Sequence, residues 1–516
     1  MATESVSHGH VGLQRHPPGL CVLFATEMWE RFSFYSMLAM FTLYLRDADE
    51  GFGWTASEAT TLYSNYLMFV YASPLVGGFL ANWKLGFRRA VMIGGLFFIA
   101  GHLLLSFRSL PIVYLALVCL VIGNGFFKPN ISAMVGNLYP SGSHLKDRAY
   151  NIFYMGINVG AFLAPVTAEF VKGAHGYHPA FAVAAGGMVI SVAILWLFKA
   201  QVEEPDPIVP HAAGSDIQET AITEDIPPSD GHAQGVQDAE RTMAMTERTP
   251  AGGAPRTGGV GTNGAADLPS IQNPIDAIPD WKRIGALLVI FAIVIVFWMV
   301  FHQNGSTMTY WANKNTDWTA VEEVVNTVRA STFFWEDEHP PFKMTGVIAH
   351  AINPFFVVTL TFPLVWFWKW LDAKGLEPST PMKMAIGMVL ASAAFVLLFL
   401  GARVGEAGAT DTMLHDFKVS PLWLVGTYAV LTLAELMLSP MGLALVAKVA
   451  PSRFLGLMMG GWFVAGAIGN KLTVIGVYWD QWLHSTFWIV LSALALLIAL
   501  VLLGLLKPLK KAMPGV

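Results

Sequence analysis

The chain has 516 residues and a net charge of -5, and 54% of its residues are hydrophobic while only 13% are charged. This composition predicts an integral membrane protein and excludes one that is built on a soluble domain. We expect no nucleic-acid partner.

Apolar stretches of about 20 residues predict the transmembrane helices, because a helix rises about 1.5 Å per residue and the hydrocarbon core is about 30 Å thick. Twelve such stretches lie at residues 20–45, 56–80, 87–107, 110–138, 147–171, 179–199, 284–312, 345–371, 382–403, 420–449, 454–478 and 483–506. The predicted fold class is therefore all-α integral membrane, with twelve transmembrane helices.

Lysine and arginine residues cluster on one side of the predicted helices, as at Lys84, Arg88 and Arg89. The positive-inside rule predicts that this side is cytoplasmic. Both terminal tails, residues 1–19 and 507–516, are then cytoplasmic. The first residues lack the apolar core of a cleavable signal, so we expect the first helix to direct insertion as part of a multi-pass protein of the plasma (cytoplasmic or inner) membrane.

Residues 200–280 contain no Phe, Trp or Tyr and are rich in Pro, Gly, Ala, Thr and acidic residues. A segment of this composition cannot bury enough apolar surface to fold, so we predict a disordered cytoplasmic linker. It separates an N-terminal six-helix bundle, residues 20–199, from a C-terminal six-helix bundle, residues 281–506. Two such bundles are typical of transporters that rock about a site between them.

The first helix contains Glu27, Glu30 and Arg31 within an otherwise apolar stretch. Offsets of three and four residues put them on one helical face, with Tyr35 one turn further along. Ionisable residues inside a membrane indicate a functional site, although an ion pair that only locks helices together is the alternative. One arginine balances one carboxylate, so the other needs a second cation, a proton or a ligand.

Four more polar residues fall inside predicted helices: Lys128, Asn158, Asn353 and Glu435. Each charge exposed to lipid would cost about 3 kcal/mol, so we expect these residues to face one shared polar cavity between the bundles. Cations at one end and a carboxylate with amides at the other suit a zwitterion. For each Asn, a hydrogen bond that packs two helices is the alternative.

The sequence resembles the proton-dependent oligopeptide transporters of the major facilitator superfamily. The motifs that carry the resemblance are E-x-x-E-R-F from Glu27 to Phe32, F-x-K-P-N around Lys128, YNIFYMGINVGAFLAP from Tyr150, and the tenth-helix pattern of Glu435 with Ser439, Pro440 and Gly442. They extend from helix one to helix eleven. The resemblance implies the major facilitator fold, with two six-helix bundles.

The resemblance also implies roles for particular residues. Arg31 and Lys128 would receive the carboxylate of a peptide, while Asn158, Asn353 and Glu435 would hold its amine. The pocket would be lined by Tyr35, Tyr71, Trp298 and Trp462. Protonation within the group of Glu27, Glu30 and Arg31, with Lys128 and Glu435 responding, would couple uptake to the proton gradient.

This chain departs from the family pattern at two positions that commonly form an ion pair of the outer gate. Leu38 stands where the first helix often has an arginine, and His302 stands where the seventh helix usually has a glutamate. Residue counting puts both at a similar depth, so the two losses leave no stranded charge. His302 is a candidate proton-coupling residue, and a structural histidine is the alternative.

The leading hypothesis is a proton-coupled symporter of di- and tripeptides that works by alternating access. One alternative is a symporter of nitrate or another small anionic or zwitterionic solute on the same fold, and another is a membrane receptor or channel that uses the same cavity. No nucleotide-binding loop, metal-ligand spacing or nucleophile with a base is present, so we expect no enzyme activity, no metal and no cofactor. The partners would be peptides, protons and the lipid bilayer.

Overall fold

The computed structural model describes residues 16–139, 145–202, 274–332, 341–409 and 415–514. Most of the predicted N-terminal tail, most of the predicted linker and the last two residues of the predicted C-terminal tail lie outside the described residues.

Six long helices make up the N-terminal half. They are α1 (Pro18–Arg46), α2 (Ala56–Leu80), α3 (Phe87–Leu104), α4 (Leu110–Asn137), α5 (Leu145–His175) and α6 (Tyr177–Leu197). A π-helical turn, Ala81–Leu85, extends α2 into the positively charged connection before α3. The order and the approximate bounds follow the apolar stretches of the sequence.

The described part of the C-terminal half contains six long helices and two shorter ones. They are α7 (Asp280–Phe301), α8 (Thr307–Lys314), α9 (Thr319–Thr332), α10 (Ala349–Ala373), α11 (Thr380–Gly408), α12 (Pro421–Val449), α13 (Leu455–Leu472) and α14 (His484–Ala512). A 3-10 turn, His302–Gly305, joins α7 to α8, so the seventh predicted span is interrupted. The last helix continues past the predicted end of its span at residue 506.

Nine helical segments in the described part of the chain are long and apolar enough to cross a membrane. The helices α1, α2 and α13 are not among these nine, although they contain 29, 25 and 18 residues. The three charges of Glu27, Glu30 and Arg31 lower the mean hydropathy of α1. The predicted all-α membrane fold is confirmed.

The helices form two bundles. In the N-terminal bundle, α1 packs against α5 and α6, α3 packs against α4 and α6, and α2 packs against α4. In the C-terminal bundle, α11 packs against α12 and α14, α7 packs against α13 and α14, and α10 packs against α12. The bundles meet along two helix pairs, α2 with α13 and α5 with α10.

Small residues let α5 cross α1 closely at the level of the charges. A Cβ atom added to Gly160 would lie 2.2 Å from the carbonyl oxygen of Met28, and one added to Gly156 would lie 2.9 Å from the ring of Phe24. Close approach through such small residues is a common basis of helix association in membranes. The crossing therefore holds the charged segment of α1 inside its bundle.

Candidate functional site

The α1 cluster consists of Glu27, Glu30 and Arg31, whose exposed fractions are only 1%, 0% and 2%. The Arg31 guanidinium forms a fork on Glu30: Nη2 donates to Oε1 at 2.7 Å, and Nε donates to Oε2. Its Nε also lies 3.3 Å from Oε1 of Glu27. One buried cation therefore contacts two carboxylates, and the group has a formal charge of minus one when both acids are ionised.

Aromatic rings complete the surroundings of Arg31. Its guanidinium carbon lies 5.1 Å from the ring centre of Phe34 and 6.0 Å from that of Tyr35. Both distances are within the range of cation–π attraction. Both rings also line the cavity described below, so the cluster borders the cavity through them.

A second polar cluster lies in the C-terminal bundle, where α10 faces α12. The side-chain amide of Asn353 donates to Oε2 of Glu435 at 2.8 Å and to the hydroxyl oxygen of Thr432 at 2.9 Å. Glu435 is 3% exposed. The neutral amide of Asn353 therefore helps to orient this carboxylate in the bundle interior.

One cavity between the bundles brings most of the predicted binding residues together. Its wall includes six of the nine: Tyr35, Tyr71, Asn158, Trp298, Asn353 and Glu435. The first three come from the N-terminal bundle and the last three from the C-terminal bundle. The amide nitrogen of Asn158 donates to the Tyr154 carbonyl at 3.0 Å, a bond within its own helix.

The other three predicted binding residues lie outside the described wall of this cavity. Arg31 belongs to the α1 cluster, and Lys128 is half-buried on α4. Trp462 is 3% exposed and packs inside the C-terminal bundle. A Cβ atom added to Gly442 would lie 1.9 Å from its ring, and its ring centre is 6.3 Å from that of Phe291.

The two positions that depart from the family pattern, Leu38 and His302, both line this cavity. The similar depth inferred from residue counting agrees with this placement. His302 begins the 3-10 turn after α7 and is 8% exposed. Its ring stacks on Trp298 with centres 5.0 Å apart and lies edge-on to Tyr71 at 5.6 Å.

Sequence reasoning missed several residues of the cavity wall, among them Asn304, His350 and Tyr428. Nε2 of His350 is 3.0 Å from the hydroxyl of Thr309. Helical spacing could have identified two of these three residues, His350 and Tyr428. His350 precedes Asn353 by three residues and Tyr428 precedes Glu435 by seven, so each shares a helical face with a predicted residue.

The bundles are joined by polar contacts at the ends that the charge rule assigns to the exterior. Arg46 lies 3.3 Å from Asp480 and covers the ring of Tyr310, whose hydroxyl is 3.2 Å from that of Thr60. The Thr42 hydroxyl donates to the carbonyl of Gly305 at 3.0 Å. These contacts connect α1 and α2 with α8, the 3-10 turn after α7 and the connection before α14.

A buried carboxylate makes a further outer contact between the bundles. Glu169 of α5 is 1% exposed and accepts three hydrogen bonds from the segment that leads into α10. The donors are the backbone nitrogen of Thr345 at 2.5 Å, its hydroxyl at 3.0 Å and the backbone nitrogen of Ile348 at 2.9 Å. A carboxylate at the beginning of a helix also interacts favourably with the helix dipole.

Among the described residues, no three His, Cys, Asp or Glu side chains form a group that could hold a metal ion. Both cysteines, Cys21 and Cys119, are free thiols.

Comparison with known proteins identifies relatives over almost the whole chain. The sequence model of the POT family matches residues 88–246 and 339–482. The chain is 30% identical to the peptide transporter YePEPT of Yersinia enterocolitica, over 91% of this chain and 89% of that protein. It is 28% identical to a di-/tripeptide transporter of Lactococcus lactis, over 97% of each chain.

Solved structures agree with these relatives. A crystal structure of a mutant of the peptide transporter POT with sulfate has a TM-score of 0.74 and 25% identity, covering 98% of this chain and 97% of that one. A POT family transporter in complex with a thioalcohol-conjugated peptide has a TM-score of 0.73 and 24% identity, covering 97% of this chain and 98% of that one. The fold is that of these transporters, and the chain belongs to the POT family.

Proposed function

We propose that this protein is a proton-coupled symporter of di- and tripeptides that works by alternating access. The observation that carries the proposal is the cavity between the bundles, where Glu435 and Asn353 of one bundle share a wall with Asn158 and Tyr35 of the other. Two relatives of similar length are named as transporters of peptides, which supports the same substrate class.

The charges suit a peptide, which has an amine at one end and a carboxylate at the other. A protonated amine is attracted to the Glu435 carboxylate and can donate to the carbonyl oxygens of Asn158 and Asn353. The carboxylate would be bound by Arg31 and Lys128, in keeping with the resemblance of the first and fourth helices to the family motifs. A substrate without the amine forgoes the interaction with Glu435.

Proton coupling is proposed for the α1 cluster, with Lys128, His302 and Glu435 as further candidates. Arg31 contacts two buried carboxylates, so the charge of this group changes by one when either acid gains a proton. A proton on Glu27 or Glu30 would make the cluster neutral and would free part of the Arg31 fork for a substrate carboxylate. Uptake of a proton and binding of the peptide would thereby favour each other.

Alternating access is supported by the arrangement of the two bundles. Their predicted outer ends are joined by Glu169, Arg46, Asp480, Tyr310 and Thr42. These contacts must separate for the cavity to open to that side. The two bundles would then rock about the cavity, as in other transporters with two related halves.

The remaining properties follow from this proposal. The protein would lie in the plasma membrane with both termini in the cytoplasm, because positive charge is concentrated on that side of the predicted helices. It would catalyse no covalent chemistry and would need no cofactor, since the proton gradient supplies the driving force. Its partners would be peptides, protons and lipid.

Proton-coupled peptide symport can be tested with purified protein in liposomes that contain a pH-sensitive dye. Adding the dipeptide Ala-Ala with an inward proton gradient should acidify the interior and accumulate labelled peptide, and N-acetyl-Ala-Ala is the matched control. Acidification driven by nitrate but not by Ala-Ala would favour the anion symporter. Binding without transient uphill counterflow would favour a receptor or a channel.

A further inference from the structure

His302 lines the cavity, and its Nε2 atom has no hydrogen-bond partner among the described residues. We propose that His302 forms a subsite for the side chain of the N-terminal residue of a peptide, and that this subsite prefers a hydroxyaryl group such as that of tyrosine. The inference deepens the proposed function and rests on it.

The wall around His302 is suited to a flat aromatic group. Trp298 stacks on the imidazole, and Tyr71 and Phe301 meet it edge-on with ring centres 5.6 and 5.3 Å away. Leu38 adds an aliphatic side chain to the same wall. Aromatic rings pack favourably in such offset and edge-to-face arrangements.

His302 adds a hydrogen-bonding group to this largely aromatic part of the wall. His302 is 8% exposed, so its Nε2 is largely removed from bulk solvent. The second histidine of the cavity differs, because Nε2 of His350 already has the Thr309 hydroxyl 3.0 Å away. A buried hydrogen-bonding atom without a partner is unfavourable, and a ligand that supplies the partner is favoured.

His302 shares a cavity with Glu435, the proposed site of the peptide amine. Both residues line the same cavity, while Arg31 and Lys128 lie outside its described wall. If Glu435 holds the amine, the nearest substrate side chain is that of the N-terminal residue. The side chain of the C-terminal residue would lie toward Arg31.

A phenol matches this subsite better than other side chains do. Its hydroxyl can donate or accept, so it can bond Nε2 in either tautomer of the neutral imidazole. A carboxylate would lose its hydration against apolar walls without a fixed positive charge on the histidine. An aliphatic side chain or phenylalanine would fill the space but would leave Nε2 without a partner.

Binding of four dipeptides to the purified protein tests the proposal. Tyr-Ala and Phe-Ala differ by one hydroxyl at the N-terminal residue, and Ala-Tyr and Ala-Phe are the matched pair at the C-terminal residue. We expect Tyr-Ala to bind roughly two- to twelve-fold more tightly than Phe-Ala, which is the range of one net hydrogen bond. Ala-Tyr and Ala-Phe should bind with nearly equal affinity.

The ratio of the affinities for Tyr-Ala and Phe-Ala in three variants tests whether the substrate hydroxyl bonds to His302. His302→Leu should reduce the Tyr-Ala to Phe-Ala ratio to about one, and His302→Gln should retain part of it because its amide can donate and accept. Tyr428→Phe is the matched control, since Tyr428 lines the same cavity and its hydroxyl also has no partner among the described residues. It should keep the ratio of the unsubstituted protein.

Three results would overturn the subsite: no preference for Tyr-Ala in the unsubstituted protein, a preference that survives in His302→Leu, or a preference that disappears only in Tyr428→Phe. Failure of the proposed function is a separate result, because none of the four dipeptides would then bind. A preference for Glu-Ala over Tyr-Ala would also contradict the proposal. All of these measurements use binding, so they do not require that the variants transport.

Discussion

The two bundles hold their buried carboxylates in different ways. In the N-terminal bundle, Glu27 and Glu30 share the Arg31 cation within one helix. In the C-terminal bundle, Glu435 accepts from the neutral amide of Asn353 on another helix. A group with two acids and one cation suits proton exchange, and a carboxylate that accepts from a neutral amide can also attract a cationic ligand.

Removing the shared cation should have the largest effect. Arg31→Met leaves two buried carboxylates close together, and breaking a buried pair in this way typically costs about 3–5 kcal/mol. We expect loss of dipeptide uptake and a lower temperature of thermal unfolding. Arg31→Met combined with Glu30→Gln removes one of the stranded charges and should recover part of the unfolding temperature but not the uptake. An unchanged unfolding temperature in the single variant would contradict the shared-cation arrangement.

Glu30→Gln tests whether the α1 cluster exchanges the proton. Gln keeps the shape of Glu but cannot exchange a proton, so proton-driven accumulation of Ala-Ala should be abolished. Counterflow of labelled dipeptide should persist in part, because exchange requires binding and rocking but no net proton movement. Accumulation equal to that of the unsubstituted protein would remove Glu30 from the coupling mechanism.

Glu435→Gln tests whether the carboxylate of the C-terminal bundle binds the amine of the peptide. A hydrogen bond to a charged group contributes about 1.5–3 kcal/mol, so binding of Ala-Ala should weaken by about ten-fold or more. Binding of an analogue that lacks the amine should change much less. If both ligands lose the same factor, Glu435 does not contact the amine.

The sequence predicted the α1 cluster more completely than the C-terminal one. Helical spacing alone places Glu27, Glu30 and Arg31 on one face, and those contacts are present. The pairing of Asn353 with Glu435 spans 82 positions and depends on how α10 packs against α12, which spacing does not encode. The sequence predicted that both residues face one shared polar cavity, but it did not identify their contact.

The outer contacts could not be predicted for the same reason. Glu169 and Ile348 are 179 positions apart, and Arg46 and Asp480 are 434 positions apart. The 3-10 turn at His302–Gly305 consists of polar residues and glycine, yet the predicted span 284–312 included it without an interruption. Trp462 was assigned to the pocket only through the family resemblance, and it lies outside the described wall of the cavity.

Glu169 and Glu435 each accept from a neutral group, yet the donors to Glu169 come from the opposite bundle. This difference predicts a role in holding the outer ends together. Glu169→Gln removes the charge from three hydrogen bonds, so we expect the equilibrium to shift toward the state that is open to the outside by about ten-fold. Spin labels can be attached at the exposed positions Ala48 and Gln481, and pulsed electron–electron double resonance measures the distance between them. In Glu169→Gln, a larger fraction of molecules should show a long distance between the two labels.

Glu322 provides the matched control for this last prediction. Its Oε1 accepts from the backbone nitrogen of Met344 at 2.8 Å, next to the Thr345 donors, but both residues belong to the C-terminal half. Glu322→Gln therefore removes a similar interaction from the same segment without separating the bundles. The distances should shift in Glu169→Gln and not in Glu322→Gln. Equal shifts would mean that the segment before α10 had simply loosened, and no shift in either variant would show that Glu169 does not hold the outer ends closed.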